Sequence, residues 1–261
     1  MSPIDELIPL LKKLRLSGIL QTLELRTKQA VEDNLAHAEF LLRLLTDEVE
    51  RRESKMLDHR IKRANFDHKK TLEDFDFHFN PDIPKAKIID LATCGFVARR
   101  RNVVLLGPSG VGKSHIAQAL GHRACLVGHK VLYIASRDMF KQLRAARGDG
   151  THERCLLRFT GPELLIIDDL GLRPLDQNET IDLYDVIRLR YERSSTIVTS
   201  NRDLDEFPAI FGDPLLSSAA LDRLLHDAHV IVMQGDSYRN PPAQKRAGNK
   251  RRRGDTPEVN A

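Results

Sequence analysis

The chain has 261 residues, of which 41% are hydrophobic and 30% charged, and its formal net charge is +4. This length suits one sizeable core plus a small appended domain, and the modest charge permits a polyanionic partner without requiring one. Cys94, Cys125 and Cys155 lie far apart without metal-ligand spacing, which argues against a disulfide framework or a zinc site. The longest apolar runs are strand-sized and no charged-then-apolar leader is present. We therefore expect no membrane span, no export and a cytoplasmic location.

Apolar residues at helical spacing predict two helices in the N-terminal region. The first covers residues 7–19, and the second follows Asn34, a residue suited to an N-cap. Beyond Glu48 the apolar stripe thins and basic residues follow, which predicts a long helix with a basic surface. These residues are Arg51, Arg52, Lys55, Arg60, Lys62 and Arg63. Residues 1–66 are thus predicted to form a small all-helical domain.

The remaining chain divides into a linker, a sheet domain and a tail. Asn80, Pro81 and Pro84 break the chain, so we place the linker between residues 66 and 84. Five strand-like runs then alternate with helical stretches, at residues 103–106, 131–135, 164–167, 196–199 and 230–233. They predict an α/β domain over residues 67–240, with a five-stranded parallel sheet covered by helices on both faces. Residues 241–261 are basic with few apolar residues, which predicts a disordered tail.

The first apolar run leads into GPSGVGKS, residues 107–114, and a helical pattern ending at Gly128 follows. This is the context of a phosphate-binding P-loop, in which backbone N–H groups and the helix dipole face the anion. We expect Lys113 to reach the phosphates of ATP and Ser114 to coordinate Mg²⁺. A glycine-rich turn that binds nothing is the alternative. The predicted nucleotide-binding residues are Gly107, Pro108, Ser109, Gly110, Val111, Gly112, Lys113, Ser114 and His115.

Polar residues follow two other predicted strands. Asp168 and Asp169 end the third run, where Asp168 is expected to hold Mg²⁺ through water and Asp169 to orient or deprotonate the attacking water. A capping role for the pair is the alternative. Asn201 follows the fourth run, whose place in the chain lets it lie between the first and third strands. It is expected to hydrogen-bond the hydrolytic water or the γ-phosphate, although asparagine after a strand is also a common turn former.

Two arginines flank the fifth run: Arg223 precedes it and Arg239 follows it. An arginine can stabilise the charge on a transferred phosphoryl group, often from a neighbouring subunit. A surface or ion-paired arginine is the alternative for each.

Five motifs together resemble the IstB family, the ATPase helpers of insertion-sequence transposition. They are GPSGVGKS at residue 107, LLIIDDLG at 164, RYERSSTIVTSN ending at 201, FGDPLLSSAALDRLLH ending at 226 and GDSYR ending at 239. The resemblance runs from the N-terminal helices to Arg239. It implies the AAA+ fold of a relative of the DnaC helicase loader, an ATP-dependent homo-oligomer, and double-stranded DNA as the substrate of assembly.

Residue roles follow from this resemblance by position. They are Walker A for Lys113 and Ser114, Walker B for Asp168 and Asp169, first sensor for Asn201, arginine finger for Arg223 and second sensor for Arg239. Most AAA+ proteins have glutamate at the position of Asp169, and the shorter side chain predicts slow hydrolysis. A helical lid usually follows the AAA+ sheet, whereas a polar tail follows Arg239 here, so no lid domain is expected.

The resemblance also gives the six basic residues of the long helix a role in contacting DNA phosphates. Without it they indicate only a solvated helix face. The leading hypothesis is that ATP drives self-assembly on target DNA, which the protein deforms and presents to a partner transposase of the IstA type. The rivals are a DnaC-like helicase loader, a small-molecule kinase built on the P-loop, and an architectural DNA-binding protein with an inactive ATPase site.

Overall fold

A computed structural model describes residues 3–66 and 70–240 of the chain. The chain forms two compact units, divided between His59 and Arg60. Within the described residues, no helix combines the length and the apolar character needed to cross a membrane. The tail predicted for residues 241–261 lies outside the described ranges. The expectation that no lid domain follows the sheet concerns the same residues.

The first unit is helical, with α1 Pro3–Lys13, α2 Ser17–Glu32 and the larger part of α3 His37–Ala64. Its core consists of Leu11, Ile19, Leu23 and Leu44. The buried Glu48 carboxylate of α3 accepts hydrogen bonds from the N–H groups of Gly18, at 2.5 Å, and Ile19, at 3.3 Å. It thereby satisfies donors in the first turn of α2, which have no partner within the helix. Gly18 permits this approach, since a Cβ atom there would lie 2.6 Å from Glu48 Cα.

Two predictions for this unit were wrong in detail. The stretch predicted as one helix over residues 7–19 is interrupted, because Arg15 adopts a left-handed conformation with φ of 57°. Asn34 is not an N-cap: its φ is 49°, and it ends α2 instead of starting α3. The N–H of Leu35 donates to Ala30 O at 3.0 Å, in the pattern that closes a helix after a left-handed residue. The long helix predicted after this turn is confirmed as α3.

The second unit contains a five-stranded parallel sheet, as predicted. The strands are β1 Val103–Leu106, β2 Val131–Ala135, β3 Leu164–Leu170, β4 Ser195–Ser200 and β5 His229–Val232. The helices are α4 Lys85–Leu91, α5 Gly95–Ala98, α6 Lys113–Val127, α7 Ser136–Gly148, α8 His152–Thr160, α9 Gln177–Arg190, α10 Phe207–Phe211 and α11 Pro214–Leu225. The strand order is β2-β3-β4-β1-β5. The carboxyl ends of β1, β4 and β3 are therefore neighbours, at the edge where ligands of open α/β sheets bind.

Arg190 ties the end of α9 to the start of β4. Its side chain is only 2% exposed, and its guanidinium donates to the carbonyl oxygens of Phe159 and Pro162, each at 2.9 Å. It also donates to Ser195 O and, at 3.0 Å, to Thr196 Oγ1. A planar fork with five N–H donors can serve these acceptors together, whereas a lysine ammonium cannot.

We expect Arg190→Lys to lower the free energy of unfolding by about 2–4 kcal/mol, because buried carbonyl groups lose their donors. Urea denaturation measures the change. The matched control is Arg188→Lys on the same helix, where the arginine is exposed and paired with Asp185. Its effect should stay below about 0.5 kcal/mol. Equal losses in the two variants contradict the proposed role of Arg190.

Candidate functional site

A cavity of about 410 Å³ lies at the carboxyl edge of the sheet, within the size range of small-molecule sites. Residues 109–115 of the glycine-rich loop line it, together with Asp169, Asn201 and Arg239. The structure therefore brings most of the residues predicted for nucleotide binding and hydrolysis to one cavity. Of the remainder, Gly107 and Pro108 contact Lys113, Asp168 is buried beside the cavity lining, and Arg223 lies elsewhere.

The loop has the backbone conformation that the glycines predict. Gly107, Gly110 and Gly112 all have positive φ, and α6 begins directly after them at Lys113. At Gly107, where φ is 141°, a Cβ atom would lie 2.0 Å from Met233 O, so the loop passes close to the end of β5. No side chain caps the N-terminus of α6 in the described residues. Its free N–H groups and positive dipole end suit an anion.

Lys113 is held inside the loop. Its ammonium donates to Gly107 O at 2.7 Å and to Pro108 O at 2.9 Å, and the residue is 5% exposed. Burial lowers the pKa of Lys113, while the charges of Asp169 and Asp168 oppose that shift. The side chain thus lies where a P-loop lysine reaches the phosphates.

Asp168 is 4% exposed, and hydroxyl groups hold both of its carboxylate oxygens. Tyr133 donates to Oδ2 at 2.7 Å, and Thr199 donates to Oδ1. Each oxygen keeps acceptor capacity for a further donor such as a metal-bound water. Ser114 supplies a hydroxyl in the cavity. Because Mg²⁺ prefers hard oxygen ligands and retains several waters, this pair fits a hydrated Mg²⁺.

Asp169 turns its carboxylate into the cavity. Its backbone has a φ of 55°, which is uncommon for a residue other than glycine. Burial, followed by the neighbouring charge of Asp168, raises the pKa of Asp169, and the charges of Lys113, Arg239 and Lys70 partly offset this. A carboxylate with a raised pKa is a better proton acceptor than an ordinary aspartate.

The segment predicted as a domain linker forms one wall of the cavity. His115 Nε2 lies 2.7 Å from Thr71 O, and the His115 ring packs edge-on against Phe75 with ring centroids 5.2 Å apart. Phe75, Phe79 and Asn80 line the cavity, and none of them was predicted as a site residue. The sequence signal for this wall is a proline-containing loop in which aromatic residues alternate with polar ones. The same pattern is equally typical of aromatic residues that only pack against the protein core.

Asn80 fastens this wall to the segment after β5. Its Nδ2 donates to Asp236 O at 2.9 Å, its Oδ1 accepts from the N–H of Asp236 at 3.1 Å, and the residue is 3% exposed. Two residues later, the N–H of Tyr238 donates to Gly110 O at 2.9 Å, and its ring packs on Phe79 with centroids 4.9 Å apart. We call the pair of hydrogen bonds between Asn80 and Asp236 the Asn80 clasp. The clasp holds the segment that places Arg239 in the cavity.

Arg223 and the basic residues of α3 lie outside this cavity. The Arg223 guanidinium donates to Ala219 O of its own helix at 2.7 Å and lies 5.7 Å from the centroid of the Tyr184 ring. On α3, Arg51 and Lys55 donate to Ser17 Oγ at 3.1 and 3.4 Å.

The other basic residues of α3 differ in their contacts. Arg52 pairs with Glu48 at 2.6 Å. Arg60 donates to Cys125 O at 3.5 Å, and Lys62 and Arg63 are exposed. The contacts of Arg51, Arg52 and Lys55 are all within the first unit.

The sheet has a glycine-rich loop between β1 and α6, carboxylates on β3 and an asparagine after β4. Together with the strand order, these features define a P-loop nucleotide-binding protein with the AAA+ fold. The chain belongs to the family of IstB-like ATP-binding proteins, whose model matches residues 9–246.

Relatives include the ATP-binding protein of insertion sequence IS5376 from Geobacillus stearothermophilus, 38% identical over 79% of this chain and 82% of the relative. That of IS21 from Pseudomonas aeruginosa is 37% identical over 90% of this chain and 89% of the relative.

Solved structures agree on the fold. AMPPCP-bound DnaA from Aquifex aeolicus matches with a TM-score of 0.56 and 18% identity, over 75% of this chain and 58% of that one. DnaI matches with a TM-score of 0.54 and 21% identity, over 65% of this chain and 90% of that one. At these identities the likeness concerns the fold alone.

We expect Asn80→Ala to weaken ATP binding about tenfold, since the loss of two buried hydrogen bonds loosens the segment that carries Arg239. Titration with a fluorescent ATP analogue measures the Kd. Asn178→Ala, at an exposed position on α9, is the matched control and should leave the Kd unchanged. An unchanged Kd in Asn80→Ala contradicts a role for the clasp in nucleotide binding.

Proposed function

We propose that this protein is a Mg²⁺-dependent ATPase that assembles on double-stranded DNA and presents the DNA to a transposase. The observation that carries the proposal is the single cavity around which Lys113, Asp169, Asn201 and Arg239 converge. The relatives support the DNA-transposition part, because they are named as ATP-binding proteins of insertion sequences. The same names favour this role over that of a helicase loader.

Each residue of the cavity has a distinct part in the proposed hydrolysis. Lys113 and the N–H groups at the start of α6 bind the phosphates. Ser114 and Asp168 would hold Mg²⁺, which would supply positive charge to neutralise the phosphates. Asp169 accepts a hydrogen bond or proton from the attacking water, whose oxygen forms the bond to the γ-phosphorus. The bond to the bridging oxygen breaks, and ADP leaves with the electron pair. Asn201 orients the water, and Arg239 faces the negative charge that develops.

Arg223 fits a role at the site of a neighbouring subunit. It does not line the cavity of its own chain, and its recorded contacts are with Ala219 and Tyr184 of its own unit. An arginine supplied by a neighbour stabilises the transition state only after assembly, so hydrolysis would report the oligomeric state. A small-molecule kinase would need no such arrangement and would ignore DNA.

The basic residues of α3 are the proposed DNA contacts, and the six do not contribute equally. Lys62 and Arg63 are exposed, whereas Arg52 is paired with Glu48 and Arg51 is bonded to Ser17. An arginine that must first leave a carboxylate gains less from a phosphate than a solvated one does. We therefore assign the larger share of phosphate binding to Lys62 and Arg63.

We expect the wild-type protein to hydrolyse ATP faster when double-stranded DNA is added, and Lys113→Ala to lose both ATP binding and ATP-dependent assembly on DNA. Phosphate release and electron microscopy of the protein on DNA measure the two effects. Lys130→Ala, at an exposed position, is the control. Assembly of Lys113→Ala in response to ATP contradicts the role of the loop. Wild-type binding of ATP without turnover, with and without DNA, favours an architectural protein.

We expect Arg223→Ala to reduce DNA-stimulated turnover at least about 100-fold while ATP binding is kept. An equimolar mixture of Arg223→Ala with Asp169→Asn chains should regain turnover, because each Asp169→Asn chain keeps the P-loop for binding ATP and supplies an intact arginine to its neighbour. Arg193→Ala, also exposed, serves as the control substitution. A mixture as inactive as its components contradicts action between subunits.

A further inference from the structure

The backbone at Asp169 forms a bulge in strand β3. Ile167 pairs with Val198 of β4, but the next paired residue of β3 is Leu170, which pairs with Ser200. Two residues of β3, Asp168 and Asp169, therefore lie opposite one residue of β4. Asp169 occupies the left-handed region, with a φ of 55°. For a residue with a Cβ atom this conformation costs about 1–2 kcal/mol, so surrounding contacts must hold it.

Two hydroxyl groups satisfy the backbone of this bulge. Thr199 Oγ1 accepts from the N–H of Asp169 at 2.9 Å, and its single proton is donated to the Asp168 carboxylate. Ser136 Oγ, at the start of α7, donates to Asp169 O at 2.9 Å. Thr199 and Ser136 are both buried, so water does not compete freely for these contacts. The two polar groups that the bulge removes from the strand ladder are thus paired with side chains.

A bulge changes the direction of the side chain that it carries. In a regular strand, successive side chains point to opposite faces. Here Asp168 is buried against Tyr133 and Thr199, and its neighbour Asp169 lines the cavity with Lys113. The bulge therefore sets the direction of the Asp169 side chain, which lines the cavity.

We propose that Thr199 and Ser136 are positioning residues that hold Asp169 in this left-handed bulge, and that the bulge supplies the reach that the short aspartate side chain lacks. The inference rests on the proposed hydrolysis of ATP, and it is an alternative to the expectation that an aspartate at this position acts slowly because of its length. In this proposal the backbone at residue 169 suits the length of an aspartate side chain. The longer side chain of a glutamate at residue 169 extends beyond the position of the attacking water.

The test uses the full-length protein on DNA and measures kcat for ATP together with the Kd of a non-hydrolysable analogue. Ser136→Ala and Thr199→Val should each lower kcat about tenfold with a Kd within twofold of wild type, and Thr199→Ser should restore kcat. Ser217→Ala removes a buried hydroxyl that has no hydrogen-bond partner among the described residues, and it should leave kcat unchanged.

Asp169→Glu provides the decisive comparison. Asp169→Glu should lower kcat in the wild-type background. In Ser136→Ala it should raise kcat, because there the bulge relaxes and the aspartate carboxylate no longer reaches the attacking water. An increase of kcat by Asp169→Glu in the wild type overturns the proposal, as does an unchanged kcat in both Ser136→Ala and Thr199→Val.

A stability measurement separates the bulge from the reaction. Since glycine accepts a positive φ and alanine does not, Asp169→Gly should unfold about 2–4 °C above Asp169→Ala. A lower Tm for the glycine variant overturns the bulge itself. If the wild-type protein shows no ATP turnover and Asp169→Gly still has the higher Tm, the proposed hydrolysis and the positioning role are both overturned. The bulge then remains as a structural feature only.

Discussion

Strand β4 pairs with β1 on one side and with β3 on the other, and the polar groups of the carboxyl edge depend on this parallel ladder. The N–H of Gly107 extends the ladder by donating to Ser200 O at 3.2 Å, which joins the start of the P-loop to the end of β4. Thr199, one residue earlier, donates to the Asp168 carboxylate and accepts from the backbone N–H of Asp169. The phosphate-binding loop and the acidic pair thus share one strand as their support, and a shift of β4 by a single residue would separate them.

The sheet could be predicted from the sequence because its strands are buried on both faces and read as short apolar runs. The P-loop could be predicted because its glycines and Lys113 occupy fixed positions between a strand and a helix. The AAA+ fold and the family, expected from five motifs, are both confirmed. The assigned roles of Arg223, Arg239 and the basic residues of α3 stay predictions, since they depend on partners that this chain alone does not contain.

Other features could not be predicted, for identifiable physical reasons. Asn34 is favoured both as an N-cap and in a left-handed turn, and only the hydrogen bonds of Leu35 decide between the two. The clasp joins Asn80 to Asp236, 156 positions away, and no local pattern indicates such a pairing. Tyr133, Thr199 and Ser136 are common in strands or at helix starts, and their contacts with the acidic pair arise only when the strands are side by side.

The Asn80 clasp also bears on when the nucleotide pocket can form during synthesis. One wall of the pocket comes from residues near position 80, and the segment that holds it in place ends at Arg239. Contacts between distant parts of a chain form only after the later part exists and the entropy of loop closure has been overcome. A nascent chain that already contains the complete P-loop therefore still lacks the enclosed pocket. Enclosure of the pocket is in this sense a property of a chain that extends to Arg239, and a shorter nascent chain lacks the residues that hold the pocket wall in place.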